Sequence, residues 1–126
     1  MSGEVRDAGV LYVVSTPIGN LADVTLRAIE ILKACPRLAA EDTRHTRKLL
    51  AHLGIGGKHV DALHAHSSER DVERVVDALR AGESVALVTD AGTPIVSDPG
   101  DVLVKRAIAE GIRVVPIPGP SAVLAA

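Results

Sequence analysis

The sequence is nearly free of aromatic residues. Among its 126 residues there is one tyrosine, Tyr12, and there is neither tryptophan nor phenylalanine. Because hydrophobic residues still make up 47% of the chain, the core must consist of Val, Leu, Ile and Ala. An aliphatic core of this kind suits a parallel sheet covered by helices. The shortage of rings also argues against a surface that stacks RNA bases on aromatic side chains.

Cysteine and net charge are also scarce. A single cysteine, Cys35, excludes an intramolecular disulfide and favours the cytosol. Fourteen basic and sixteen acidic residues give a formal net charge of −2, so any contact with nucleic acid has to be local. The sequence shows neither a membrane span nor a signal peptide. These absences predict a cytoplasmic globular protein.

What the chain does have is a regular alternation of short apolar runs and helical periodicity. Strands are predicted at residues 10–14, 37–41, 60–63, 85–88 and 112–115, and helices at 25–34, 42–53, 68–81 and 102–110. In the first helix, Leu26, Ile29 and Leu32 are predicted to form the buried face. The alternation predicts an α/β fold with a mainly parallel, five-stranded sheet flanked by helices.

The domain organisation follows from the same pattern. Residues 1–9 form a polar leader, and residues 10–118 form the α/β domain. Residues 119–126 are expected to begin a linker or helix that leads into a C-terminal domain absent from this chain. The chain is therefore expected to be a fragment of a larger protein.

Three loops rich in small residues follow predicted strands, at residues 15–20, 89–100 and 116–122. The carboxyl ends of parallel strands meet at one edge of a sheet, so these loops can line one crevice, where open α/β sheets bind ligands. Asp90 offers a fixed acceptor at the end of its strand. Neither G-x-G-x-x-G after the first strand nor G-x-x-x-x-G-K-[ST] anywhere is present, so a standard dinucleotide or P-loop site is not indicated.

The helix predicted at residues 42–53 is amphipathic. Arg44, Arg47 and Lys48 fall on one side of it, and its leucines fall on the other. Because this helix directly follows a strand, its amino-terminal end is expected at the ligand edge. Two interpretations stay open: a solvated outer face, or a patch that binds phosphate, which arginine can contact bidentately.

Metal and nucleophile chemistry is not indicated. His59, His64 and His66 have no carboxylate or cysteine partners at a recognisable spacing. Cys35 has no evident base, and no G-x-S-x-G motif occurs. The sequence thus predicts a site without a metal ion.

Four segments closely resemble one family. They are residues 13–21 (VVSTPIGNL), 40–50 (AEDTRHTRKLL), 90–100 (DAGTPIVSDPG) and 116–122 (PIPGPSA). The family is the small-subunit ribosomal RNA 2′-O-methyltransferase I family, a branch of the tetrapyrrole-methylase superfamily. The resemblance runs from residue 10 to residue 126, with the four motifs in the family's order and spacing.

The resemblance implies transfer of a methyl group from S-adenosylmethionine to the 2′-hydroxyl of a cytidine in the decoding region of 16S ribosomal RNA. It also implies two α/β domains with the cofactor between them, a homodimer, and small-subunit ribosomal RNA or the ribosomal subunit as partner. This chain corresponds to the N-terminal domain, so incomplete activity is expected from it alone. The alternatives are a methyltransferase for a tetrapyrrole-like small molecule and an inactive cofactor-binding or dimerisation module.

The resemblance also assigns cofactor-binding residues. Those expected to border the cofactor are Pro17, Ile18, Gly19, Asn20, Asp90, Gly92, Thr93, Pro94, Ser121 and Ala122. Superfamily members have a Gly-Asp-Pro loop where this chain has Thr89, Asp90 and Ala91, so only the aspartate matches.

The segment at residues 41–48 is peculiar to the ribosomal RNA branch, which favours contact of Arg44, Arg47 and Lys48 with RNA phosphates. The reaction depends on positioning the two reactants, and an oriented acceptor can assist removal of the hydroxyl proton. The candidates for this catalytic acceptor are Glu41, Asp42 and His45, and no spacing singles out one of them.

Overall fold

The computed structural model describes residues 9–16, 24–63, 69–90 and 99–118 of the chain. Within these ranges, strands and helices alternate as predicted. The strands are β1 (Leu11–Thr16), β2 (Arg37–Ala40), β3 (His59–Ala62), β4 (Val85–Asp90) and β5 (Val114–Ile117). The helices are α1 (Leu26–Ala34), α2 (Thr43–Leu53), α3 (Glu69–Arg80) and α4 (Pro99–Ala109). None of these helices has the length and apolar character needed to cross a membrane.

The five strands form one sheet in the order β3-β2-β4-β1-β5, and every pairing is parallel. The predicted α/β fold with a parallel five-stranded sheet is confirmed. Strand β4 lies at the centre and pairs with both β1 and β2, although it comes fourth along the chain. Strands β1 and β2 are therefore joined only through β4.

Side chains that alternate along each strand supply two buried clusters, one on each face of the sheet. On β4, Val85 and Leu87 pack on one face, and Ala86 and Val88 pack on the other. The α3–α4 cluster contains Leu11, Ala39, Leu63, Val72, Val75, Val76, Leu79, Val85, Leu87, Leu103, Ala107 and Ile112. The α1–α2 cluster contains Val14, Ala28, Leu32, Cys35, Leu38, Ala40, Leu49, Leu50, Ala86, Val88 and Ile117. Each fully buried leucine or valine contributes about 1.5–3 kcal/mol.

The two clusters show which helices cover which face. Helices α1 and α2 pack on one face, and α3 and α4 pack on the other. The connection after β1 leads to α1, whereas the connection after the neighbouring strand β4 leads to α4 on the opposite face. This divergence makes the carboxyl ends of β1 and β4 the topological switch point of the sheet, the usual place for a ligand in an open α/β fold.

The predicted start of α1 is correct, but its predicted buried face is partly wrong. The Thr25 hydroxyl caps the helix by accepting a hydrogen bond from the Ala28 amide at 3.1 Å. Leu26 is 79% exposed, whereas Ala28 and Leu32 are fully buried. The buried stripe runs through Ala28 and Leu32, and Leu26 lies about 200° around the helix from Ala28. The side of α1 that packs against the sheet is therefore the one with Ala28 and Leu32, and not the predicted one with Leu26.

Three predicted strand ends also need correction. Strands β1 and β4 continue two residues further than predicted, to Thr16 and Asp90, because these residues still pair with each other. Strand β5 covers Val114–Ile117 instead of residues 112–115, so Pro116 lies in a strand and not at the start of a loop. A proline is tolerated there because β5 is an edge strand, where a missing N–H need not break a ladder.

Candidate functional site

The last residues of β1 and β4 are held together at the switch point. Ser15 pairs in register with Thr89, and Thr16 pairs with Asp90. Thr16 is fully buried, and its hydroxyl donates a hydrogen bond to the Thr89 carbonyl oxygen at 3.2 Å. Two of the predicted cofactor loops therefore begin from strand ends whose relative position is fixed. Sequence reasoning missed Thr16, because only the register between β1 and β4 reveals its partner.

Most residues predicted to border the cofactor lie outside the described residues. These are Pro17, Ile18, Gly19, Asn20, Gly92, Thr93, Pro94, Ser121 and Ala122. Asp90 is the last residue of β4, which places its backbone at the switch point. The cofactor-binding set as a whole stays a prediction.

Helix α2 begins at the same edge of the sheet. Strand β2 ends at Ala40, and Asp42 is the N-cap of α2, with its Oδ1 accepting a hydrogen bond from the His45 amide at 3.1 Å. The helix ends at Gly54, whose φ of 73° is the left-handed conformation that glycine adopts most readily. Both predicted ends of this helix are confirmed. The sequence around residues 41–45 thus sits where the carboxyl ends of the strands open.

The amphipathic character predicted for α2 is present in the structure. Leu49 and Leu50 are buried, and Arg44, Arg47 and Lys48 are exposed on the outer side. Helix α2 contains no acidic residue. None of its three cations takes part in an ion pair within the described part of the chain. Their charge is consequently available to an anionic partner.

His45 is the predicted catalytic candidate whose side chain stands out. The residue is half-buried, and its Nε2 atom is buried without a hydrogen-bond partner among the described residues. An unpaired buried polar atom costs about 1–3 kcal/mol, so such an atom is a natural contact for a ligand. Glu41 is exposed, and Asp42 already uses Oδ1 to cap the helix. The structure thus distinguishes three candidates that the sequence left equal.

The cysteine and the histidines are placed as follows. Cys35 is fully buried, and burial raises the pKa of its thiol to about 11 in spite of the nearby Lys58 cation, which lowers it. The thiol is therefore protonated at neutral pH. His59 Nε2 lies 2.9 Å from Asp61 Oδ1, and the described ranges hold no group of three or more metal-ligating side chains. His64 and His66 lie outside the described residues.

A second polar feature, which was not predicted from the sequence, lies at the opposite, amino edge of the sheet. Arg37 joins β2 to β3 and to the segment before β4, with Nη1 2.7 Å from Asp61 Oδ2 and Nε 3.0 Å from Glu83 Oε1. Partial burial lowers the pKa of Arg37, but the hydrogen bonds and charges of Asp61 and Glu83 together outweigh it and raise this pKa above its usual value. Because the partners are distant in sequence, only the sheet order brings them together.

Comparisons with known proteins agree with this fold. Residues 10–126 match the family model described as Tetrapyrrole (Corrin/Porphyrin) Methylases. The chain is 57% identical over 118 residues to Ribosomal RNA small subunit methyltransferase I of Xylella fastidiosa, covering 94% of this chain and 43% of that protein. It is 52% identical to the protein of the same name from Escherichia coli O157:H7, covering 94% and 41%. The chain thus spans less than half the length of these relatives.

Solved structures resemble the fold at lower identity. A cobalamin biosynthetic enzyme, cobalt precorrin-4 methyltransferase, superposes with a TM-score of 0.67 at 21% identity, covering 86% of this chain and 45% of that chain. A conserved hypothetical protein of Aeropyrum pernix K1 superposes with a TM-score of 0.66 at 20% identity, covering 90% and 39%. The family model spans all but the first nine residues, and the resemblance inferred from the four motifs is confirmed: the chain belongs to the tetrapyrrole (corrin/porphyrin) methylase family.

Proposed function

We propose that this chain is the cofactor-binding N-terminal part of a methyltransferase that modifies small-subunit ribosomal RNA. One observation carries the proposal. The switch point between β1 and β4 lies at the same edge of the sheet as the start of helix α2, whose charged residues are all basic. A small-molecule site and a phosphate-binding surface are thereby adjacent. The two relatives that are 52% and 57% identical are named as ribosomal RNA small subunit methyltransferases, which supports the same proposal.

The proposed cofactor is S-adenosylmethionine. The strand ends suit a ligand site, because the Thr16–Thr89 hydrogen bond fixes their relative position and β4 ends with Asp90 at the switch point. The residues that would hold it are Pro17, Ile18, Gly19, Asn20, Asp90, Gly92, Thr93, Pro94, Ser121 and Ala122. When bound, the cofactor supplies an electrophilic methyl group.

The proposed substrate is a ribose 2′-hydroxyl of a cytidine in the decoding region of 16S ribosomal RNA. Arg44, Arg47 and Lys48 contact phosphates and so set the position of the RNA, because phosphate contacts fix register without reading bases. A chain with a single aromatic residue is suited to this mode of binding. The segment at residues 41–48, which the resemblance ties to the ribosomal RNA branch, disfavours the alternative of a tetrapyrrole-like small-molecule substrate.

In this proposal His45 assists the reaction. Its buried Nε2 accepts a hydrogen bond from the ribose hydroxyl and then takes the hydroxyl proton, which makes the oxygen a better nucleophile. Asp42 holds the first turn of α2, and with it the backbone of His45, through its cap. Positioning of the two reactants supplies the rest of the acceleration.

The intact protein is proposed to act in the cytoplasm as a homodimer. The test is methyl transfer by the intact protein from tritiated S-adenosylmethionine to isolated small ribosomal subunits, with the ribose methyl mapped by its resistance to alkaline hydrolysis. Label in a cytidine ribose of the decoding region is the expected result. Label in a base, or in no RNA, would contradict the proposal.

Cofactor binding by this chain alone is tested separately. Calorimetric titration with S-adenosylhomocysteine should release heat, whereas NADH and ATP should not. Binding of NADH or ATP alone would contradict the methyltransferase assignment. Binding of none of the three would favour the alternative of a module that is inactive without the rest of the protein.

A further inference from the structure

The two helix pairs that cover the sheet carry equal numbers of basic residues but very different numbers of acidic residues. On α1 and α2 the basic residues are Arg27, Lys33, Arg44, Arg47 and Lys48, and on α3 and α4 they are Arg70, Arg74, Arg80, Lys105 and Arg106. The first pair of helices has a single acidic residue, Glu30. The second pair has Glu69, Asp71, Glu73, Asp77 and Asp101.

The charges of the α3–α4 face are neutralised within the face. Arg80 lies 2.6 Å from Asp77 and 2.7 Å from Glu73, and Arg106 lies 2.6 Å from Glu73. Lys105 lies 3.1 Å from Asp101 one turn away. Hydrogen bonds from Arg106 and Arg80 lower the pKa of Glu73, which keeps this carboxylate ionised over a wider pH range. The α3–α4 face therefore presents little free charge to a polyanion.

The α1–α2 face is different. Its five cations are exposed, and none takes part in an ion pair within the described ranges 9–16, 24–63, 69–90 and 99–118. Glu30 is the sole acidic residue of the two helices and leaves a large excess of positive charge. Lys58 adds a further cation at the end of α1, where Nζ donates to the carbonyl oxygens of Lys33 and Cys35 at 2.6 and 2.7 Å.

We infer that the RNA-binding surface extends across the whole α1–α2 face and that Arg27 and Lys33 of α1 contact RNA phosphates. This inference rests on the proposed function, which assigns RNA contacts to α2 alone. Leu32 of α1 and Leu49 of α2 belong to one buried cluster, so the two helices lie on the same side of the sheet and can meet one RNA segment. The neutral α3–α4 face points away from the RNA.

The inference is tested with the 126-residue chain and a fluorescein-labelled RNA hairpin of the decoding-region sequence, by anisotropy at several salt concentrations. Three double variants are compared with wild type: Arg27→Gln with Lys33→Gln on α1, Arg44→Gln with Arg47→Gln on α2, and Arg70→Gln with Lys105→Gln on α3 and α4. The last is the matched control, with one arginine and one lysine removed from the opposite face. Circular dichroism confirms that each variant is folded.

The logarithm of the binding constant falls as the logarithm of the salt concentration rises, and each lost phosphate contact makes this slope less steep by about 0.7–0.9. The slope of the α1 variant, which lacks two cations, should therefore be less steep by about 1.4–1.8, and this variant should bind more weakly at every salt concentration, while the control keeps the wild-type slope. A wild-type slope for the α1 variant, together with a reduced slope for the α2 variant, would overturn the inference and leave the proposed function standing. Wild-type slopes for both would overturn the inference and the RNA contacts of the proposed function. Equal losses in the α1 variant and the control would also overturn the inference, since net charge alone would explain them.

Discussion

Thr16, at the end of β1, donates a hydrogen bond to the main-chain oxygen of Thr89 in β4, and the Thr16 side chain is fully buried where it does so. The bond joins strands whose connections diverge to opposite faces of the sheet. It therefore helps to fix the relative position of the two strand ends from which two of the proposed cofactor loops begin.

Replacing Thr16 with valine keeps the shape of the side chain and removes this bond. We expect a loss of about 1 kcal/mol in the free energy of unfolding, because a buried carbonyl loses a partner. Affinity for S-adenosylhomocysteine should also fall. Urea unfolding and calorimetry measure the two effects. Ser15→Ala, one residue earlier in β1, is the control and should change neither, and an unchanged stability of T16V would refute the structural role.

His45→Ala in the intact protein should lower the rate of methyl transfer to small ribosomal subunits by about 100-fold or more, the usual range for loss of an acid–base group. Binding of S-adenosylhomocysteine should be unaffected, because His45 is assigned to the hydroxyl proton alone. His52→Ala, exposed near the other end of the same helix, provides the control. Equal rates for the two variants would exclude His45 as the acceptor.

Gly9→Ala should be strongly destabilising. A Cβ atom at Gly9 would lie 2.0 Å from the Glu83 carbonyl oxygen, while the Gly9 amide donates to the Leu79 oxygen at 2.8 Å. Since backbone on both sides leaves no room, we expect a cost of about 1–3 kcal/mol, as for other overpacked sites. Gly56→Ala, where an added Cβ meets nothing within 4 Å, should be nearly neutral in the same thermal melts. Similar melting temperatures for the two variants would contradict the packing described.

The ion pairs between α3 and α4 should make stability sensitive to acid. Hydrogen bonds from arginine lower the pKa of Glu73, chiefly from Arg106, and of Glu110, chiefly from Arg80. A carboxyl whose pKa is lower in the folded than in the unfolded state stabilises the fold at higher pH, and this contribution is lost as the pH falls below about 4.5. The midpoint of urea unfolding should accordingly drop between pH 5 and about 2.5.

Glu73→Gln isolates the contribution of this carboxylate. The variant should be less stable than wild type at pH 7 and should lose less stability on acidification. Glu69→Gln, on the same helix, is the control. An acid dependence in E73Q as steep as in wild type would show that Glu73 makes no contribution.

Cys35 should be unreactive in the folded protein. Burial raises its pKa to about 11, so the thiolate is scarce at pH 7.5, and the sulfur is inaccessible to solvent. Labelling with iodoacetamide at pH 7.5 should be far slower in buffer than in 8 M urea. Rapid stoichiometric labelling of the native chain would contradict the burial of this residue.

Local signals in the sequence were sufficient for much of the fold. Asp42 and Gly54 marked the ends of α2 because capping and left-handed glycine are chemistry of a few adjacent residues. Leu26 and Pro116 were misplaced because their environment depends on which stripe the sheet covers and on β5 being an edge. Hydrophobic periodicity alone predicts neither the side of α1 that the sheet covers nor the edge position of β5.

Some features of the candidate site could likewise be predicted from the local sequence, and others could not. The basic side of α2 was readable from helical spacing, whereas the isolation of His45 Nε2 and the Thr16–Thr89 bond arise from contacts between distant segments. The charge difference between the two faces also needed the topology, since both helix pairs have equal numbers of basic residues.

The central position of β4 has a consequence for biosynthesis. Strands β1 and β2 have no direct pairing and meet only through β4, whose last residue is Asp90. While the ribosome is still translating the first 84 residues, β1 has neither of its partner strands and its apolar side chains have no sheet to join. Strands β2 and β3 can pair earlier, but β1 cannot join the sheet until β4 has been made, and the delay leaves the nascent chain dependent on protection from aggregation until then.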